Sequence, residues 1–289
     1  MPSTYAHFRM GQQVRNRLTG TEREIIERNP ELYQVGLHGP DILFYYTALI
    51  PNKVNKHGTA DHNRTGAAFF SHAADVIRTH PDEDAYLAYC YGVLCHFGLD
   101  ASCHGYINQH VIDSGIAHNE IETEFDRMLM VYDAYDPVSH SLIRHIRRAV
   151  GRFDYIRRMN ADPDAETHSD PYEVISAFYP GITPAEIRKA LKGMIFDHNL
   201  YLAPSPLKRV PMFALMKLIG KYDSLRGFFV NYKANPDCAE SNAVLIRLYQ
   251  KGAERSRLLI TEFASCMDGS TQPNPLYRYN FEGVIPEKS

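Results

Sequence analysis

The sequence predicts an all-α fold on three observations. Capping residues stand in front of apolar positions that recur every three or four residues. Runs alternating at period two are almost absent. The composition, 44% hydrophobic and 22% charged over 289 residues, is that of a globular chain long enough to bury a full core. It excludes disorder, collagen-like repeats and a coiled-coil rod.

The elements follow in chain order. Thr21 and Glu24 spell a capping box at the start of a helix. Pro51–Arg64 reads as a loop, followed by a helix from Thr65 to Thr79. Ala85 to Leu99 is nearly uncharged but carries His96, too short and too polar for a membrane span and suited to a buried segment. Asp136-Pro137 opens a helix through about Arg152. Asn160–Asp170 is a second loop. Thr183-Pro184-Ala185-Glu186 is a capping box with Pro at the first helical position and Ile182 placed to staple Ile187; its helix runs to about Asn199. Pro204–Pro211 reads as a loop and Pro211–Ile219 as core. Val244, Leu245, Leu248, Leu258, Leu259 and Phe263 then fall at helical spacing, and the end of the chain reads as irregular.

The formal net charge of −3 and a pI near 6.5 give no electrostatic case for general nucleic-acid or anionic-membrane binding. The first ten residues lack the charged-then-apolar order of a secretory signal. The five cysteines include no CxxC pair, as expected of free thiols in a cytoplasmic protein.

The chain has 14 His and no Trp, and its chemistry is concentrated in one stretch. Cys95 to His104 contains HxxxDxxxH: His96 and Asp100, four apart, share a helix face and can clamp one metal. His104 continues the line, turned by about 80° from His96, toward a neighbouring position. His118 and Glu122 repeat the spacing as HxxxE. One His–carboxylate pair is commonly an ordinary helix ion pair. Two pairs and a third His in line point instead to a multinuclear site in a cleft between helices. Imidazole and carboxylate without thiolate favour zinc in a catalytic role. Other histidines take ordinary readings: His72 and His80 as surface or cap groups, His140 and His145 on a solvated basic face with Arg144, Arg147 and Arg148, and His198 beside a helix C-terminus.

The block Ala88 to Ile107 resembles the zinc-dependent phospholipase C family, as do His118 to Arg127, Met1 to Phe8 and Gly39 to Tyr46, all in the family's order. The resemblance covers about residues 1–130, within a metal-binding core of residues 1–150. Residues 151–289 read as a helical extension packed on that core. It implies an all-helical metallohydrolase acting on a phosphoester, with phospholipid the leading candidate. Two zinc ions are implied, one held by His62, His96 and Asp100 and one by His104, His118 and Glu122. His7 joins a third site to which Asp100 bridges. Secreted members complete that site with an N-terminal Trp, which this chain lacks. They also place the His after HxxxD two residues later than His104. Asp41 matches the carboxylate that orients or deprotonates the attacking water. His62 follows Gly58 in the family's Gly-x-x-x-His pattern, with His57 a rival in the same segment. The competing functions are hydrolysis of a nucleotide or small phosphomonoester, and metal binding without catalysis. No nucleic-acid groove is expected.

Overall fold

The computed structural model describes residues 4–48, 50–162, 168–267, 270 and 272–286. These residues are predominantly helical and contain no strand, only an isolated bridge between Thr65 and Asn280. The helices are α1 (Thr4–Arg17), α2 (Thr21–Arg28), α3 (Pro30–Gly36), α4 (Lys53–Asn63), α5 (Gly66–Thr79), α6 (Glu83–Ser114) and α7 (His118–Tyr132). After them come α8 (Arg144–Asn160), α9 (Pro171–Ala177), α10 (Pro184–Tyr201), α11 (Pro206–Leu218), α12 (Tyr222–Leu225) and α13 (Ala239–Met267). A 3-10 turn, Gly39–Tyr45, links α3 to the segment before α4.

Helix α6 is the axis of the molecule. Every residue from Ala85 to His104 is buried, the pattern of a helix enclosed on all sides. Asp82 caps its start through the amide of Ala85, and Gly115, left-handed at φ 73°, ends it. Its most extensive neighbours are α13 and α3. The crossing with α3 is close because Gly36 meets Gly92: a Cβ on either would run into the other helix's backbone. One buried cluster extends from Tyr5 to Phe281, so α8, α9, α10 and α13 share the core that α1 to α7 build. Asp154 of α8 ties three of these together, accepting from the Tyr172 hydroxyl of α9 at 2.8 Å and from Arg188 Nε and Nη2 of α10 at 2.8 and 3.0 Å.

Several boundaries differ from the sequence expectation for local reasons. Pro51–Arg64 is mostly helix, because the Asn52 side chain accepts from the amides of Val54 and Asn55 and nucleates α4. Gly20, not Thr21, caps α2, at φ 69°. Asp136 does not start α8: it accepts from the Ser139 and His140 amides in a single turn, and α8 begins at Arg144. Ser205 caps α11 with Pro206 at its first turn, so Pro204–Pro211 is largely helical. Within Pro211–Ile219 only Met216 is buried; both faces of this stretch are apolar, and the outer one is left in solvent. Of the expected Asn160–Asp170 loop, Asn160 still belongs to α8, residues 161–162 and 168–170 are irregular, and residues 163–167 lie outside those described, as do residues 1–3 of the N-terminal motif. The capping box at Thr183 and Glu186 is present in full. Cys90, Cys95, Cys103 and Cys238 are buried free thiols. No helix among the described residues is long and apolar enough to cross a membrane.

Two histidines leave their expected surroundings. His145 is buried, with its Nε2 2.6 Å from Nε2 of His38 and its ring stacked on Phe8. Burial lowers its pKa to about 3. His198 is no cation at a helix end: it lies 2.9 Å from the Tyr45 hydroxyl, and burial brings it down to about 4.

Candidate metal centre

Five elements converge on one cleft. Helix α6 presents His96, Asp100 and His104 on successive turns, and α7 opens with His118 and Glu122 facing them. His7 comes from α1, His62 from the last turn of α4, and Asp41 from the 3-10 turn. Asp126 of α7 fixes α1 in place by accepting from the amides of Tyr5 and Ala6 at 2.9 and 2.8 Å, which sets His7 against α6. Gly39 is equally placed for this purpose: at φ 42°, its missing side chain leaves room for His96, whose Cδ2 would be 2.6 Å from a Cβ there.

The ligand-type atoms gather in three groups, each within 4.8 Å: His7, His96 and Asp100; Asp41, His62 and His96; and His104, His118 and Glu122. The first implied set is thus divided, with His62 beside Asp41, Asp100 beside His7, and His96 common to both groups. Asp100 turns Oδ1 to His7 Nε2 at 3.1 Å and Oδ2 to His96 Nε2 at 3.0 Å. Asp41 Oδ1 is 2.9 Å from His62 Nε2. Glu122 Oε1 is 3.3 Å from both His104 Nε2 and His118 Nε2. All these side chains except Asp41 and His118 are buried. His57 faces Asp61 instead, at 3.2 Å, and does not line the cleft.

Three of the imidazoles are oriented from behind by the main chain. His62 Nδ1 is 2.7 Å from the Gly58 carbonyl, His96 Nδ1 3.3 Å from that of Leu37, and His104 Nδ1 2.9 Å from that of Phe281. A carbonyl only accepts, so each Nδ1 carries the hydrogen and each neutral ring offers its lone pair at Nε2. Every such Nε2 faces a carboxylate oxygen. Two acceptors in that position need a cation between them, either a proton on each ring or a shared metal ion. His96 Nε2 makes no hydrogen bond although Asp100 Oδ2 is 3.0 Å away. The donor set, the backbone partners behind it and the absence of thiolate from the three groups fit zinc.

The electrostatics agree with the geometry. Burial opposes ionisation of Asp100, yet His96, His104 and His7 hold it well below the usual carboxylate range. Burial likewise opposes ionisation of Asp41, but its positively charged surroundings, the His62 hydrogen bond among them, hold its carboxyl below the usual range. Burial works against a charged His104, and Asp100 and Glu122 overcome it, lifting its pKa to about 10. Carboxylates that pull buried imidazoles into the charged form provide a field suited to a dication.

The cleft is a small cavity of about 120 Å³, bordered by Phe44, Thr59, Asn63 and Glu282 besides the ligand-type residues. Phe44 also borders a larger chamber of about 420 Å³, walled by Tyr45, Leu142, Tyr201, Leu202 and Arg209 among others. The contribution of the chain end was absent from the sequence reading. The Phe281 carbonyl holds His104, the Phe281 ring lies against His62 and His96, and Glu282 faces the cleft. A main-chain oxygen has no residue-type signature, and no periodicity marks this segment.

Helices throughout, with imidazoles facing buried carboxylates across a cleft, define a metalloprotein of the histidine–carboxylate kind. The chain belongs to the zinc-dependent phospholipase C family, a family of zinc phosphoesterases. The family's model matches residues 6–172, more than half of the chain and all of the three groups, while Phe281 and Glu282 lie outside the match. No curated protein and no solved structure matches the chain.

Proposed function

We propose that the protein is a phospholipase C-like hydrolase that cleaves a phosphoester with zinc held by His7, His62, His96, Asp100, His104, His118 and Glu122. The observation that supports this most strongly is the set of Nε2 atoms, fixed from behind by main-chain carbonyls and directed at carboxylates. Zinc bound there supplies Lewis acidity to phosphoryl oxygens and lowers the pKa of water toward about 7.

The chain's own residues account for the rest of the site. Asp100, with one oxygen toward His7 and the other toward His96, couples two imidazoles across one carboxylate. Asp41 stays ionised against burial, so it orients the attacking water better than it retains a proton. The cleft accommodates a phosphoryl group and little more. The chamber beyond Phe44 has the size and apolar lining of a pocket for the non-polar part of a substrate, which favours a lipid-type phosphoester.

The test is zinc content by mass spectrometry together with turnover on a phosphocholine diester, a nucleotide and a phosphomonoester. The expected result is at least two zinc ions per chain, one of them lost in His118→Ala, and cleavage of the diester. Asp41→Asn is expected to lower turnover by about 10²-fold or more. Zinc loading without turnover of any of the three would leave a metal-binding protein and overturn the proposal.

A further inference from the structure

Helix α11 is apolar on the side that faces out. At about 100° per residue, Leu207, Val210, Pro211, Ala214, Leu215 and Leu218 fall within an arc of about 140°. All six are exposed, Leu207 at 89% and Leu218 at 83%. The opposite arc holds Arg209, Met212, Phe213 and Met216. Met212, Phe213 and Met216 pack with Ala203 and Phe229 in a satellite core, and buried Arg209 lies over the Tyr232 ring at 4.1 Å. The helix is therefore anchored by its inner face, and among the described residues the apolar outer face joins neither hydrophobic cluster.

Charge at the edges of that stripe identifies what it meets. Lys208 and Lys217 flank it on opposite sides, and exposed Lys221 follows just beyond the helix. Lys208 also holds the carbonyls of Asn199 and Leu202 at 2.6 and 2.7 Å. From Asn199 to Tyr222 the chain carries Lys208, Arg209, Lys217 and Lys221 and no acidic residue, although the whole protein has a net charge of −3. Net charge conceals this local asymmetry. An apolar stripe bordered by lysines is the pattern of a helix lying in a lipid headgroup layer, where the stems reach down to apolar surface and the ammonium groups meet phosphates.

We infer that the outer face of α11 docks on an anionic lipid bilayer. The same helix walls the chamber beside the metal cleft through Arg209, so the docking face and the chamber are opposite sides of one element. The inference is scored by binding alone and stands whether or not the cleft hydrolyses the lipid.

The experiment is co-sedimentation of the full chain with phosphatidylcholine vesicles, with and without phosphatidylglycerol. Wild type is expected to sediment with the anionic vesicles and much less with the neutral ones. Leu207→Ser with Leu218→Ser is expected to weaken partitioning by about tenfold for each leucine. Lys217→Glu with Lys221→Glu should abolish the preference for phosphatidylglycerol. The leucine pair should keep the wild-type thermal midpoint, since both side chains are exposed, and the lysine pair should lower it only by the loss of the Lys217 contact with the Tyr222 ring, 4.8 Å from its centroid. Wild type that ignores anionic vesicles, or a leucine pair that binds them as wild type does, would overturn the inference. So would a lipid-free dimer that the leucine pair dissolves, because a second copy of the chain would then be the occupant.

Discussion

Gly39→Ala is the sharpest probe of how the backbone makes room for the metal centre. Position 39 has φ 42°, where an L side chain costs about 1–2 kcal/mol. A Cβ there would also come within 2.6 Å of His96 Cδ2, short of ordinary carbon–carbon contact by about 1 Å. His96 cannot yield easily, because it is fully buried, its Nδ1 is tied to Leu37 and its ring is stacked on His7 at 4.3 Å. Overlap in such a place adds about 1–3 kcal/mol. Gly115→Ala supplies the control: φ is 73°, and a Cβ there meets nothing within 4 Å. The control should lower the thermal midpoint by about 2–4 °C and Gly39→Ala by about 4–10 °C, measured on chelator-treated protein. Displacing His96 should also weaken zinc binding by about 10–100-fold in Gly39→Ala alone, read by competition with a chromogenic chelator. Equal stability losses and equal zinc affinities in the two variants would refute the argument that Gly39 is there for the imidazole.

Two further outcomes follow from other parts of the fold. Stripping metal should destabilise the protein, and restoring zinc to about 100 times its dissociation constant should recover about 2.7 kcal/mol per site; a thermal midpoint indifferent to chelator would show that the cleft does not hold zinc when folded. At Asp154, the Arg188 hydrogen bond holds the carboxyl well below the usual range, so its stabilisation is present above about pH 4 and disappears as the pH falls through the folded-state value. Asp154→Asn should therefore cost about 1 kcal/mol at pH 7, solvent screening included, and progressively less as the pH falls below about 4; a loss independent of pH would contradict the ion pair.

The sequence made the centre of the candidate site legible where its proposed ligands share a helix. His96, Asp100 and His104 recur every fourth residue in an apolar stretch, and His118 and Glu122 repeat that spacing, so local geometry alone brings each set to one face. His62 and Asp41 needed the family resemblance, because the start of α4 is decided by a cap at Asn52 and the turn bearing Asp41 packs chiefly against α4 and the distant α10. The His38–His145 contact joins residues 107 positions apart and leaves no local trace. Helix α11 was misread for a different reason. Periodicity detects amphipathic contrast, and in Pro211–Ile219 the solvent side is as apolar as the buried side. The all-α class was readable throughout, since caps and spacing act within a few residues.

The pairing of the chain end with α4 bears on how the protein is made. The Phe281 amide donates to the His62 carbonyl at 3.1 Å and the Gly66 amide to that of Tyr279 at 2.7 Å, while the Phe281 carbonyl holds His104. Helices α1 to α7 emerge from the ribosome long before that segment exists. A nascent chain can form α6 and bring most of the imidazoles together, but His104 gains its backbone partner only when residues 279–283 have been translated and folded back. If the cleft holds zinc as proposed, ion offered before that point meets an incompletely oriented set of side chains, and tight loading waits for residues 279–283.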